Sequence, residues 1–172
     1  LPPEQRRYGI TGKGFGYRWH EFDERFGAAK HPHEPNRFGW VVEVDPWDPR
    51  STPVKRTALG RFKHEGATVA LAADGRGVVY MGDDERFEYI YRYVSDEPWK
   101  KALRKGRHPL DHGTLYVARF RGDGREDEQF DGSGSWIPLT SDTESYVDGM
   151  TVAEVLIDTR LAAVVDRQAM RH

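Results

Sequence analysis

Acidic side chains and one histidine lie where short apolar segments give way to turns in residues 60–95. Glu65 stands beside His64, and the adjacent acids Asp83 and Asp84 follow the apolar run VVYM. Hard cations such as calcium prefer carboxylate oxygens that converge from several chain segments, and binding residues concentrate in loops held by a rigid scaffold. The pattern predicts a metal site with Glu65, Asp83 and Asp84 as its candidate ligands.

An ordinary structural role is the alternative for each of these acids. Glu65 could belong to a surface turn with an exposed charged pair. Adjacent acids such as Asp83 and Asp84 repel each other unless a cation or an arginine lies between them, and Arg86 could be that arginine. The sequence favours a salt-bridged turn for at least one of the two.

Three arginines, Arg56, Arg61 and Arg86, are candidates for binding a phosphate group. The guanidinium group is always charged, and its fixed fork suits phosphate oxygens. Each arginine could equally hold a loop in place. No catalytic nucleophile is assigned, because the chain contains no cysteine and no G-x-S-x-G motif.

These residues lie among short segments in which apolar and polar residues alternate, as they do in half-buried strands. The segments recur at intervals of roughly ten residues with turn signals between them, which predicts an antiparallel meander. An apolar pattern of helical spacing predicts a helix in residues 151–165, and a short helical turn is expected at 99–104. The predicted strands are 39–45, 56–62, 67–72, 77–81, 87–94, 113–120 and 136–139.

The chain has 172 residues, which suits one domain or part of a larger one. Residues 1–37 are expected to be rich in loops, residues 38–140 rich in strands, and residues 150–165 helical. The acidic residues 123–131 lack EF-hand spacing and are expected to form a solvated loop. Repeated phrases of apolar strand, D-G or D-P turn and apolar strand indicate a mainly β fold that forms a portion of a β-propeller.

Composition argues against several classes of partner. The formal net charge is −2, and the basic residues are scattered, so nucleic-acid binding is not expected. The absence of cysteine excludes a disulfide or a thiolate metal site within this chain. No apolar run is long enough to cross a bilayer, and the first residues lack the apolar centre of a secretory signal.

Several long phrases resemble one known family. The runs NRFGWVVEVDPWDPRSTPVKRTALGRFKHEGATV, VVYMGDDERFEYIYRYVS and GTLYVARF closely resemble the PhoX family of bacterial secreted alkaline phosphatases. The resemblance implies part of a β-propeller whose complete form carries ferric iron and calcium and hydrolyses phosphate monoesters. It also implies export by the twin-arginine route to the periplasm or beyond. By the same resemblance, Glu65 in the HEG phrase is a metal ligand, and Asp83 and Asp84 in the GDD phrase are further candidates.

The chain also departs from the family pattern. The family has a metal-binding cysteine in a Cys-Glu-Glu context before the region where this sequence begins, and an Arg-Pro-Glu phrase after the region where it ends. Neither occurs here. The chain is therefore expected to be a middle portion that is inactive in isolation and binds metal weakly or not at all. The alternative is a non-catalytic binding or structural propeller module of the same ancestry. Exposed strand edges could pair with a second copy and give a homo-oligomer.

Overall fold

The computed structural model describes residues 1–14, 16–122, 125 and 132–169 and shows a mainly antiparallel β structure. Five strands form one sheet in the order of the sequence. The predicted antiparallel meander is confirmed, whereas its place in a β-propeller stays a prediction. The predicted acidic loop at 123–131 falls outside the described residues apart from residue 125. The five strands are β3 His64–Leu71, β4 Arg76–Asp83, β5 Ile90–Pro98, β6 Gly113–Gly122 and β7 Gly132–Thr140.

Two shorter strands precede the sheet. Strands β1 Val42–Glu43 and β2 Val54–Lys55 pair with each other. Strand β1 is shorter than the strand predicted at 39–45, and β2 lies where no strand was predicted. The loop between them contains three prolines, which cannot donate ladder hydrogen bonds.

The strand predicted at residues 56–62 is wrong. A 3-10 helix, Thr57–Leu59, occupies its centre, and Gly60 follows with a φ of 77°. This helical turn places the side chains of Leu59 and Phe62 in the core together. An extended strand would point two residues three positions apart to opposite faces. The turn therefore allows both to be buried, and glycine is the residue that accepts the backbone angle.

One face of the sheet forms the core. Alternate residues along β5 and β6 are buried on this face, as the period of two in a strand requires, and β4 contributes Val79 and Met81 to it. Burial of each large apolar side chain contributes about 1.5–3 kcal/mol. Two C-terminal helices contribute Val155, Ala162 and Ala163 to the same core. The strand residues that share it are Val79, Met81, Tyr91, Tyr93, Leu115, Val117 and Leu139.

The predicted C-terminal helix is present as two short helices, α3 Val152–Ile157 and α4 Thr159–Ala169. Thr151 and Glu154 form a capping box that begins α3. The backbone leaves helical geometry at Asp158, with φ of −115° and ψ of 44°. The break lets α4 start in a new direction with Thr159, whose hydroxyl donates to the carbonyl of Val155 at 2.9 Å.

The described residues also contain two other α-helices and three short 3-10 helices, Trp19–Glu21, Glu24–Phe26 and Glu34–Arg37. Helix α1 Pro3–Arg7 begins the loop-rich N-terminal segment, and α2 Trp99–Arg104 follows β5 where a short helical turn is predicted. Tyr8 ties the N-terminal segment to the sheet, since its hydroxyl donates to the carbonyl of Arg61 at 2.6 Å. Among the described residues, no helix has the length and apolar character that crossing a bilayer requires.

Candidate metal-binding site

Glu65 lies in a β-bulge at the start of β3. His64 pairs with Asp83 and Gly66 pairs with Gly82, so Glu65 is an extra residue with no partner of its own on β4. A bulge bends the strand and re-aims a side chain, and bulges are frequent beside functional sites. Glu65 is exposed, as are the other residues of this edge strand after His64.

Asp84 is the residue that faces Glu65. It follows the last residue of β4, and its N–H donates to the carbonyl of Lys63 at 2.8 Å, which holds it beside the first residues of β3. Hydrogen bonding to Asp84 and the negative charge of Asp84 raise the pKa of the Glu65 carboxyl. Two carboxylates in contact need a shared proton or a cation between them, so this pair has the chemistry of a cation site.

Asp83 turns to the opposite side. Its side chain is 0% exposed and lies 3.0 Å from Nε of Arg160, a residue of α4. The two groups form an ion pair without the alignment of a hydrogen bond, and neither Asp83 oxygen has a hydrogen-bond partner in the described residues. Burial raises the pKa of the Asp83 carboxyl in spite of the arginine. The structure thus brings Asp84, and not Asp83, to Glu65.

Arg160 also holds two further acids of the same turn. Its Nη2 lies 2.7 Å from Glu85 and 2.9 Å from Glu88, and its Nη1 donates to the carbonyl of Arg7 at 2.7 Å. Hydrogen bonds from Lys63 and Arg160 lower the pKa of Glu85 to about 2. The arginine that pairs with one of the two adjacent acids is Arg160, which contacts Asp83, whereas Arg86 is exposed and has no hydrogen bond or ion pair with any described residue.

Sequence reasoning missed Arg160. The available indication was the position of this arginine inside the apolar helical run TVAEVLIDTRLAAVV, where its neighbours Ala162 and Ala163 are buried. A charge on the buried face of a helix is costly unless partners neutralise it. The position alone could have indicated an unassigned group of acids elsewhere in the fold.

Two of the three candidate phosphate-binding arginines are engaged within the chain. Arg56 pairs with Glu43 at 2.7 Å and with Asp111 at 2.9 Å. Arg61 donates to the carbonyl of Ile157 at 2.7 Å, and its guanidinium carbon lies 3.8 Å from the centre of the Tyr8 ring. Arg86 is the candidate whose fork is free of partners among the described residues.

His64 is held as a neutral ring. Its Nε2 lies 3.1 Å from the carbonyl oxygen of Gly60, which can only accept, so Nε2 carries the proton. Burial lowers the pKa of His64, and the ring stacks on Phe62 with centres 3.7 Å apart. The Nδ1 atom is buried with no hydrogen-bond partner in the described residues. His64 therefore anchors the start of β3 directly before Glu65.

The pair of Glu65 and Asp84 fits a hard cation in the type of its donors. Calcium takes six to eight oxygen ligands, of which carboxylates are a large share. Within the described part of the chain, no group of three or more His, Cys, Asp or Glu side chains could hold a metal ion. Two carboxylates thus form part of a coordination sphere.

The chain also contains an apolar cavity of about 470 Å³ between the N-terminal segment and the start of β3. Tyr8, Phe26, Phe38 and Phe62 are among the residues around it, and neither Glu65 nor Asp84 lines it. The candidate cation pair is separate from this cavity.

Comparison with known proteins identifies close relatives of this fold. A structure of Pseudomonas fluorescens PhoX in complex with vanadate, a transition state analogue, superimposes with a TM-score of 0.83 and has 52% sequence identity. The match covers 96% of this chain and 29% of the Pseudomonas chain. No curated protein sequence matches the chain.

The family model for Alkaline phosphatase PhoX matches residues 1–171. It covers the phrases KRTALGRFKHEGA and YMGDDERFEYIY, and with them Glu65 and Asp84. The resemblance stated from those phrases is confirmed, and the chain belongs to the PhoX alkaline phosphatase family.

Proposed function

We propose that this chain is part of a metal-dependent phosphatase that hydrolyses phosphate monoesters, and that it supplies Glu65 and Asp84 as cation ligands. PhoX is a family of metal-dependent phosphatases, and phosphate esters are their substrates. The observation that carries the proposal is the placement of Glu65 and Asp84 at the same bulged end of the sheet, where the N–H of Asp84 donates to the carbonyl of Lys63 at 2.8 Å. Calcium and ferric iron are the proposed metals of the complete protein.

Two carboxylates hold too few oxygens for a complete calcium sphere. The matched region spans less than a third of the Pseudomonas PhoX chain, and we propose that the remaining ligands come from other parts of a longer parent protein. Secretion to the periplasm or beyond, by the twin-arginine route, belongs to the same proposal, since the family is secreted or periplasmic. A homo-oligomer formed through strand edges is a further proposal.

Arg86 is the proposed contact for the phosphate group within this chain. It lies two residues after Asp84, is exposed, and is not paired with any described acid. Charge builds on the equatorial oxygens of the phosphoryl group during transfer, and a guanidinium fork can offset part of it. A bound cation would act as a Lewis acid on the same oxygens. Arg56 and Arg61 would act more remotely, through the loops that they hold.

Asp83 has a supporting part in this proposal. Its side chain is fully buried against Arg160, so it would hold the end of β4 in place while Asp84 binds the cation. The two neighbouring acids thereby take different roles.

The test compares a full-length parent protein with its Glu65→Gln variant, using an aryl phosphate as substrate with and without a calcium chelator. Loss of groups that merely orient metal ligands costs 10–100-fold, so loss of a ligand should reduce kcat/KM at least ~100-fold. Glu144→Gln is the matched control, because Glu144 is exposed and its carboxylate makes no hydrogen bond with any described residue.

The isolated chain should show no phosphatase activity in the same assay, since it lacks the remaining ligands. A parent whose activity survives Glu65→Gln unchanged would contradict the assignment of Glu65. Robust activity from the isolated chain would contradict the proposal that its site is incomplete.

A further inference from the structure

We propose that Arg160 is a positioning residue that selects Asp84, out of the four acids in and beside the β4–β5 turn, to bind a cation together with Glu65. This inference rests on the proposed function of the Glu65 and Asp84 pair. The turn contains Asp83, Asp84, Glu85 and Glu88. Arg160 pairs with three of them and leaves Asp84 alone to face Glu65.

The guanidinium group of Arg160 is fixed in every direction. Nε lies against Asp83, Nη2 contacts both Glu85 and Glu88, and Nη1 donates to the carbonyl of Arg7. The side chain is 0% exposed. A planar fork with five N–H donors can span several acceptors, which a lysine ammonium cannot do from a single point.

The helix that carries Arg160 is itself tied to the start of β3. The hydroxyl of Thr159 accepts the N–H of Arg61 at 3.1 Å, and Arg61 N–H also donates to the carbonyl of Leu156 at 2.9 Å. The anchor for the turn and the strand that carries Glu65 therefore share one rigid connection. Such support is what holds ligands in a productive geometry.

Two consequences follow for Asp84. Its chain neighbours Asp83 and Glu85 are both held by Arg160, so the backbone between them has little freedom. The hydrogen bond from Asp84 N–H to the carbonyl of Lys63 then fixes its distance from β3. With both neighbours held by Arg160, Asp84 is the acid of this turn that remains beside the strand carrying Glu65.

The charges around the turn give the same result. The three acids that Arg160 contacts are balanced by Arg160 together with Arg7, which contacts Glu88 at 2.5 Å, and Lys63, which contacts Glu85 at 2.8 Å. None of these three cations pairs with Glu65 or Asp84. Arg160 thus confines the uncompensated charge to the two carboxylates that would bind the cation.

Terbium(III) alone is the probe for this chain, because it takes oxygen ligands like calcium and its luminescence reports them. Luminescence lifetimes in H₂O and D₂O give the number of bound waters for the folded, metal-bound molecules. The variants are Arg160→Lys, Asp84→Asn and Glu65→Gln. Arg92→Lys is the matched control, since its guanidinium stacks on Tyr116 and Trp136 away from the turn.

We expect terbium to bind the unmodified chain at about millimolar concentration, as in weak calcium sites, and Glu65→Gln to remove this binding. Arg160→Lys should weaken binding about tenfold and add about one bound water, as Asp84→Asn does, because one carboxylate leaves the metal. Arg92→Lys should change neither quantity. Loss of stability alone would not add water to the bound metal.

The outcomes separate the two proposals. If the unmodified chain does not bind terbium, this inference is refuted, whereas the proposed function, which takes its remaining ligands from the parent protein, is decided by the Glu65→Gln assay of the parent. If terbium binds and Glu65→Gln does not weaken it, the assignment of Glu65 as a ligand fails and this inference fails with it. If Glu65→Gln weakens binding while Arg160→Lys keeps the affinity and hydration of the unmodified chain, only the role of Arg160 is refuted. If Arg160→Lys does not fold, Glu88→Gln replaces it, because it loosens the same anchor. An unchanged water count in that variant also refutes the inference.

Discussion

Replacement of Arg160 by methionine should be among the most destabilising single changes in this chain. Methionine has similar length and fills most of the space, so the change removes chiefly the charge and its hydrogen bonds. It leaves Asp83, which is 0% exposed, and Glu88, which is 8% exposed, without the buried cation. Arg7 still reaches Glu88, but no other cation lies within ion-pair distance of Asp83 among the described residues.

The magnitude follows from that burial. Removal of one partner from a buried ion pair costs about 3–5 kcal/mol, because the remaining charge cannot regain its water. Arg56→Met gives the matched comparison. Arg56 is also buried, but its partners Glu43 and Asp111 are 44% and 43% exposed and can be rehydrated. Loss of such exposed pairs costs about 0–1 kcal/mol, plus a similar amount for altered packing.

The free energies of unfolding of the two variants can be measured by urea unfolding, with tryptophan fluorescence as the signal. The comparison requires that the free energy of unfolding falls with urea concentration at the same slope in both variants. The pH dependence supplies a second check. Burial already raises the pKa of Asp83, and without Arg160 it should rise further. The folded variant then binds more protons than the unfolded chain, so its stability should increase as the pH falls from about 7 to about 5.

The unmodified chain should respond differently to acid. The pKa of Glu85 is held at about 2 by Lys63 and Arg160, so the stability from Glu85 is present above its unfolded pKa and is lost as the pH falls towards 2. The difference in free energy of unfolding between the unmodified chain and Arg160→Met should therefore become smaller as the pH falls below neutral. The reasoning would be refuted if Arg160→Met and Arg56→Met lost equal free energy of unfolding at pH 7. It would also be refuted if the loss caused by Arg160→Met did not change with pH.

Two further perturbations test other parts of the fold. Gly60→Ala should cost at least ~3 kcal/mol, because Gly60 has a φ of 77° and a Cβ there would lie 2.7 Å from the Thr159 hydroxyl oxygen. Gly14→Ala, at a φ of 65° with no atom within 4 Å, should cost only about 1 kcal/mol in the same urea assay. Burial raises the pKa of Tyr8 to about 12 and also raises that of Tyr91 and Tyr93, so stability should be lost as the pH rises from about 10 to about 12. Circular dichroism should show a smaller alkaline loss in Tyr8→Phe, and an identical loss would contradict the assignment.

The strands of the meander could be predicted because their signal is local. The run GRGVVYMG alternates residues that face the core with residues that do not, and the pairing of β4 with β5 follows from the short turn between them. The segment at 56–62 misled the prediction for a related reason. Its apolar residues Leu59 and Phe62 share one core, but a 3-10 turn ending at Gly60 brings them there.

The site depended on contacts that no local pattern contains. The sequence indicated that a cation or an arginine should lie between Asp83 and Asp84, and it offered Arg86, which is near in the chain, as the arginine. The arginine in the structure is Arg160, seventy-seven positions from Asp83. The bulge at Glu65 likewise depends on the register in which β3 pairs with β4. A one-residue offset between two strands cannot be read from the composition of either strand.

The electrostatic repulsion between Glu65 and Asp84 indicates how metal binding would act in a larger protein that contains this chain. Nearby acids are neutralised by Arg160, Arg7 and Lys63, so the same end of the fold does contain cations. None of these three pairs with Glu65 or Asp84, and the two like charges meet at an exposed bulge. Such a contact is unfavourable in the isolated chain and becomes favourable only when a cation binds between the carboxylates. Metal binding in a complete protein would therefore stabilise the packing of this sheet end against the segments that supply the remaining ligands.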